Sequence, residues 1–194
     1  YGQNYGYRSG LNNSMVIHLK NTVSYLKKIR PLKNGDVFLD IGSNDATLLN
    51  AISESDVIKA GIDPNIDKFK DYYSKEIYKS SEFFSKEEFN KFSIKKACII
   101  TSIAMFYDLD DPINFAKEVK DCLSDDGIWF FEQSYMPSML DSLSFDTICH
   151  EHYEYYSLTT IKYILDKAEL HIADVIFNDM NGGSFGVIAC KNPS

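Results

Sequence analysis

The sequence has no cysteines at metal-binding or disulfide-framework spacing: its four cysteines, Cys98, Cys122, Cys149 and Cys190, stand far apart and form no CxxC pair. That excludes a zinc ribbon and a disulfide-stapled scaffold, and it points to a reducing compartment. No apolar run approaches the roughly twenty residues that span a bilayer, and the N-terminus lacks a signal-peptide core. A soluble, cytoplasmic chain without a membrane partner is therefore expected. Positive charge is also scarce. Lys and Arg number 20 against 28 Asp and Glu, for a net charge of −8, and such a field repels polyanions. Lys27, Lys28, Arg30 and Lys33 cluster near a predicted helix end, where they complement the helix dipole. Nucleic acid is not an expected partner, and no internal repeat or low-complexity tract is present.

What is there suits one domain: 194 residues, 44% hydrophobic and 14% aromatic, enough for a sizeable core. The start at Tyr1 rather than Met fits an excised part of a longer chain with additional domains. Residues 1 to 13 read as a loop, and Ser14 is expected to cap a helix over Met15 to Ile29 that Pro31 stops. Strands are predicted at Val37 to Asp40, Val57 to Ile62, Lys75 to Tyr78, Lys95 to Ser102 and Ile128 to Glu132, the last after a turn at Asp126-Gly127. Helices are predicted after Gly42 through Leu48, Leu49 and Ile52, over Asn65 to Tyr73 as an exposed element, and from Asp110-Asp-Pro112 with Phe115, Val119 and Leu123 on one face. Tyr135 to Tyr156 reads as ordered but irregular. Leu158 to Leu170 is a predicted helix, and His171 to Asn178 and Ser184 to Cys190 are strands around Asn181-Gly-Gly183. The fold expected is α/β: a Rossmann-like, mainly parallel sheet with helices on both faces and an antiparallel strand pair at the C-terminus. Its organisation would be a strap and helix over 1–30, a cofactor-binding core over 31–132, a substrate and catalytic segment over 133–157 and the final helix and strand pair over 158–194.

One stretch carries the most information. Val37-Phe-Leu-Asp-Ile-Gly-Ser-Asn-Asp-Ala-Thr-Leu-Leu49 ends a strand at Asp40, breaks at Gly42 and resumes as an apolar pattern, which is how a strand-loop-helix nucleotide cradle begins. Ala60-Gly-Ile-Asp-Pro64 places a carboxylate, Asp63, at the end of the next strand, about twenty residues on, where it can accept hydrogen bonds from a ribose. No further glycines follow Gly42 at fingerprint spacing, and no Lys-Ser/Thr pair follows it. Pyrophosphate and triphosphate cradles fit poorly.

On this layout, Asp40-Ile-Gly-Ser-Asn-Asp45 and Gly61-Ile-Asp-Pro64 resemble the cofactor motifs of class I S-adenosylmethionine-dependent methyltransferases. Phe131-Glu-Gln-Ser-Tyr-Met-Pro-Ser-Met-Leu140, Phe145-Asp-Thr-Ile-Cys-His-Glu-His152, Tyr155-Tyr-Ser-Leu158 and Gly182-Gly-Ser184 are similar to the sugar C-methyltransferase family that acts on nucleotide-linked keto-deoxysugars. The resemblance runs from about Tyr5 to Ala189. Members of that family usually carry an N-terminal zinc-binding module and a second, C-terminal lobe, neither of which these residues include. They generally have Gly at the place of Ala46, Tyr at that of Cys149, and often a His where Tyr107-Asp108 stands.

The resemblance implies S-adenosylmethionine as cofactor, S-adenosylhomocysteine as product and a small activated sugar or related surface-glycan precursor as acceptor. It places the cofactor against Asp40, Gly42, Ser43, Asn44 and Asp45, with Asp63 on the ribose, Pro64 under the adenosine, Phe83 facing adenine and Ser102 at a cofactor-contacting strand end. Tyr7, Arg8 and Ser9 resemble an opening motif that folds over the cofactor, where Arg8 suits a carboxylate. Methyl transfer to carbon needs a base beside a carbonyl. By resemblance His152 is the leading base, with Glu151 orienting it or the substrate and His150 a second candidate; on an extended segment the two His share a face and Glu151 does not. Glu132, Tyr135 and Asn181 are candidates for substrate contacts. Competing readings stay open: a loop pinned by these His, a metal site, which the spacing does not favour since Glu154 stands where HExxH needs His, a hydroxyl acceptor, a nicotinamide-dependent oxidoreductase or epimerase, and a non-catalytic scaffold. No metal is expected, and the sequence leaves the oligomeric state unknown.

Overall fold

The computed structural model describes residues 6–92, 95–145, 148–149 and 152–192. Two compact units make up the chain, residues 1–100 and 101–194, and its strands follow the order β3-β2-β1-β4-β5-β7-β6 in one seven-stranded sheet.

In the first unit, helix α1 (Asn13–Ile29) buries Leu19, Thr22, Val23 and Leu26, the spacing of one helical face. Its cap is Asn12 and not Ser14: the Asn12 side-chain oxygen accepts from the Ser14 N–H at 3.0 Å, so the helix starts two residues earlier than expected. Strand β1 (Val37–Ile41) is buried throughout and runs parallel to β2 (Ile58–Ile62), with Asp40 opposite Gly61. Helix α2 (Ile66–Phe69) and a 3-10 turn at Lys70–Tyr72 follow. Asp67, Lys68, Lys70, Asp71 and Tyr72 of this element are exposed as expected, while Ile66, Phe69 and Tyr73 are buried. Strand β3 (Ile77–Ser80) pairs parallel with β2. A short helix that the periodicity did not announce, α3 (Lys86–Asn90), is capped by Ser85, whose hydroxyl accepts from the Glu88 N–H at 3.0 Å. Strand β4 (Ala97–Ile103) carries the chain into the second unit.

The helix expected after Gly42 is not there. Between β1 and β2 the chain makes tight turns and one 3-10 turn at Leu49–Ala51. The cause is local: Asn44 (φ 48°) and Ala46 (φ 60°) are left-handed, so no right-handed helix starts before Thr47, and Ile52 is already extended (φ −81°, ψ 110°), which leaves room only for the 3-10 turn.

In the second unit, helix α4 (Pro112–Cys122) has Pro112 in its first turn and is capped by Asp111, which accepts from the Asn114 N–H at 2.9 Å. Strand β5 (Leu123–Ser134) begins directly after it. Asp126-Gly127 lies inside the strand and not in a turn, although pairing with β7 starts only at Ile128. Helix α5 (Met136–Asp141) occupies part of the segment expected to be irregular. Helix α6 (Leu158–Lys167) stops three residues short of Leu170, because Glu169 turns left-handed (φ 55°). Strands β6 (His171–Asn178) and β7 (Ser184–Cys190) form the antiparallel pair at the expected positions.

Alternate residues of β5 point the same way, and Trp129 and Phe131 lie on one face with ring centroids 4.4 Å apart. Phe106 stacks on Phe131 at 5.1 Å and meets Tyr156 at 5.5 Å. Gln133, next on that face, is 2% exposed, and neither end of its amide has a partner among the described residues. An unsatisfied buried amide costs about 1–3 kcal/mol. Gln133→Leu, of similar size, is therefore expected to raise the urea-unfolding free energy by about 1 kcal/mol; a loss of similar size would mean that ordered water satisfies the amide.

Candidate active site

The chain order of the sheet reverses at β1, and in open α/β sheets ligands collect at the carboxyl end of the strand where that happens. The loop leaving β1 is built for close approach. Gly42 (φ 75°) donates its N–H to the Ile62 carbonyl at 2.8 Å, tying the ends of β1 and β2 together in a conformation that favours glycine.

Asp63 extends that tie. Its Oδ2 accepts from the Asn44 N–H at 2.9 Å and its Oδ1 from the Asn65 N–H at 2.6 Å. A carboxylate has about four acceptor sites, so both oxygens keep capacity for a ligand's hydroxyls. Asn44 binds the N-terminal strap through its amide: Oδ1 accepts from the Ser9 N–H at 2.9 Å and Nδ2 donates to the Tyr7 carbonyl at 3.1 Å. Asp45 does the same for the next two residues, accepting from the Gly10 N–H at 3.0 Å and pairing with Arg8 at 3.4 Å, while its other oxygen takes the Thr47 N–H and hydroxyl. Arg8 also lies 4.1 Å above the Tyr72 ring. Burial, and then the Asp45 charge, push the Tyr7 phenol upward against a hydrogen bond from Ser9.

Beneath the loop lies Tyr73, which sequence reasoning missed. Its hydroxyl donates to the Asn44 carbonyl at 2.9 Å and stands 2.7 Å from the Ser43 hydroxyl. Since Tyr73 has one proton to give, Ser43 is the donor in the second bond. Burial pushes the Tyr73 phenol far above its ordinary value; Ser43 opposes this, and the charges of Asp40, Asp63 and Asp45 add to it. Asp40 is buried, Pro64 half-buried and Phe83 exposed at 69%.

The second unit holds the other candidates. Ser102 accepts from the Trp129 indole N–H at 3.2 Å. Glu132, buried, accepts from Asn178 Nδ2 at 2.8 Å. Tyr135 packs on Phe177 and Phe185 at 5.1 and 4.9 Å. The His152 ring lies 4.1 Å from that of Tyr107, and the His152 backbone N–H donates to the Cys149 carbonyl at 3.3 Å. His150, Glu151 and the Asn181 side chain, and with them the face expected to be shared by the two His, lie outside the described residues. A polar groove of about 520 Å³ runs between Ser138, Ser142, Asn178 and Ser184. Among the described residues, no group of three or more His, Cys, Asp or Glu could hold a metal ion, and no helix is long and apolar enough to cross a membrane.

A profile described as a methyltransferase domain matches residues 18–175. The chain belongs to the methyltransferase-domain family. It is 25% identical over 187 residues to the C-methyltransferase NovU of Streptomyces niveus, covering 95% of this chain and 44% of that protein; the chain thus spans less than half the length of that relative. Among solved structures, an S-adenosylmethionine-dependent methyltransferase from Clostridium acetobutylicum superposes with a TM-score of 0.66 at 13% identity, covering 90% of this chain and 91% of the other. The plantazolicin methyltransferase BpumL, in complex with a triazolic desmethylPZN analog and SAH, gives 0.67 at 13% identity over 95% and 88%. These structures share the fold, the Rossmann-like fold of class I S-adenosylmethionine-dependent methyltransferases. The family match is to a methyltransferase domain and not to a nicotinamide-dependent enzyme.

Close packing under the loop of this methyltransferase yields a test. A Cβ added to Gly61 would stand 2.6 Å from Ser43 Oγ and 3.1 Å from Leu49 Cδ1. Gly61→Ala is expected to lower stability by about 1–3 kcal/mol through overpacking, read as a lower thermal midpoint; an unchanged midpoint would mean that the loop gives way without resistance.

Proposed function

We propose that this methyltransferase acts on carbon in a nucleotide-linked sugar or related glycan precursor, with His152 as the general base. The observation that carries the cofactor half is the cradle of Gly42, Asn44 and Asp63. Its left-handed backbone leaves room for a close approach, and its carboxylate retains acceptor capacity. S-adenosylmethionine, when bound, supplies a methyl group on a positively charged sulfur. Asp63 would hold the ribose hydroxyls, the backbone of Gly42 and Ser43 would lie against the amino acid end, and Arg8 would meet its carboxylate. Asn44 and Asp45 act on the strap: they hold Tyr7 to Gly10 by four contacts and so position Arg8. Asp40, Pro64, Phe83 and Ser102 remain candidates for the same cofactor, Ser102 with its hydroxyl already accepting from Trp129.

The acceptor half rests on the similarity to the C-methyltransferase NovU and on residue chemistry. His152 takes the proton from an acceptor carbon beside a carbonyl and leaves an electron pair there. A neutral imidazole is the form that accepts the proton. The Tyr107 ring against it limits its orientations. Glu151 and His150 are proposed to assist, and Glu132, Tyr135 and Asn181 to contact the acceptor. Were the acceptor a hydroxyl, the same His would remove its proton.

His152→Asn is expected to abolish turnover while leaving the affinity for S-adenosylhomocysteine, measured by calorimetry, within about twofold, because a residue that acts only on the acceptor proton contributes nothing to cofactor binding. Retained turnover would move the base elsewhere. Mass spectrometry of products from candidate sugars, reading an added CH2 and then its position by fragmentation, separates carbon from oxygen methylation; absence of binding by the folded wild-type protein would remove the cofactor reading itself.

A further inference from the structure

We propose that Tyr73 is a positioning residue for the cofactor loop, and that its hydroxyl offsets the conformational strain of an alanine, Ala46, held in the left-handed region. The inference rests on the reading of this loop as the S-adenosylmethionine cradle and names a residue that acts on it from beneath.

Besides Gly42, two residues of the loop, Asn44 and Ala46, have positive φ. Asn tolerates this conformation because its short polar side chain bonds locally; Ala has no such help and is disfavoured there. Ala46 is also completely buried, so the loop cannot relieve the strain by turning its methyl group outward. Local bonds alone, Ala46 N–H to Ser43 O at 2.9 Å and Asn50 N–H to Ala46 O at 2.8 Å, would not favour this conformer over a helical one. Tyr73 supplies the missing bias from outside the loop. Its hydroxyl accepts from Ser43 and donates to the Asn44 carbonyl, so it grips two residues just ahead of the strained Ala46. The ring is buried at 6% exposure and cannot release the carbonyl to water. Straightening the loop into a helix would break both bonds at once.

A loop that is competent only part of the time binds with its affinity reduced by that fraction. Without the Tyr73 hydroxyl the Ala46 loop spends less time in its cradle form; with glycine at 46 the same conformer carries little penalty, so the loop depends less on Tyr73. The experiment is a cycle of Tyr73→Phe, Ala46→Gly and the double variant. Two readouts apply: calorimetric titration with S-adenosylhomocysteine, and hydrogen exchange at the Asn44 amide, which donates to Asp63 and needs no ligand. Tyr73→Phe is expected to weaken binding about tenfold and to speed Asn44 exchange by a similar factor, and Ala46→Gly added to it should restore at least half of each change on a logarithmic scale. Val119→Ala, a cavity in the core of the second unit, controls for general destabilisation: it lowers the thermal midpoint and leaves both readouts unchanged. If Tyr73→Phe leaves Asn44 exchange unchanged, or if glycine at 46 restores nothing, the proposal is overturned. Failure of wild-type protein to bind S-adenosylhomocysteine removes only the cofactor reading, since the exchange measurement still decides the role of Tyr73.

Discussion

All four hydrogen-bonding groups of Asn44 are engaged at once. Its N–H goes to Asp63, its carbonyl receives the Tyr73 hydroxyl, and its side-chain amide pairs with the Tyr7 carbonyl and the Ser9 N–H. Three segments distant in sequence, the strap, the end of β2 and the turn after α2, therefore meet on one residue. Asn suits the position because it combines a tolerated left-handed backbone with an amide that both donates and accepts. Aspartate would lose the donor to Tyr7 and glycine would lose both strap contacts. Only an asparagine satisfies every partner.

Around that hub, charge is arranged with one sign. Asp40, Asp45 and Asp63 are all buried, and each acts on the Tyr73 phenol in the same direction. The carboxylates at 45 and 63 are held by backbone N–H groups, hydroxyls and Arg8, not by a dense cluster of cations. Hydrogen bonds to the ionised form are what make such burial tolerable. The strap thus has a second role besides covering the loop. It brings the Gly10 N–H and the Arg8 guanidinium to a carboxylate that would otherwise be costly to bury.

The sequence pattern conveyed the strands well, because burial of continuous apolar runs and strict alternation are both local signals. The spans of β6 and β7 match expectation to the residue, and Pro112 with Asp111 marked the start of α4. Failures occurred where side chains override backbone periodicity. Leu48, Leu49 and Ile52 carry a helical pattern, yet Asn44 and Ala46 turn left-handed before it and Ile52 is extended after a single 3-10 turn. The Ser85 to Glu88 capping spacing could have revealed α3, but no long apolar face followed it. In the candidate site, Asp63 and Gly42 were legible as strand-end residues. Tyr73 was not, because its bond to the Asn44 carbonyl crosses 29 positions, and neither was Asn178, which crosses 46 positions to reach Glu132. Nothing in local spacing encodes a side chain that reaches another element's backbone.

The places where this chain departs from the sugar C-methyltransferase pattern have physical connections of their own. Ala46 is one, answered from below by Tyr73. Cys149 and Tyr107 form another group around His152. The His152 N–H donates to the Cys149 carbonyl, while the Tyr107 carbonyl receives the N–H groups of Tyr153 and Glu154, and the Tyr107 ring faces the imidazole at 4.1 Å. The Tyr155 hydroxyl closes the arrangement by accepting from the Cys149 N–H at 3.2 Å. A small residue at 149 and an aromatic one at 107 therefore act on the same histidine, the first through the backbone that precedes it and the second through the ring beside it. These two departures therefore lie together beside His152.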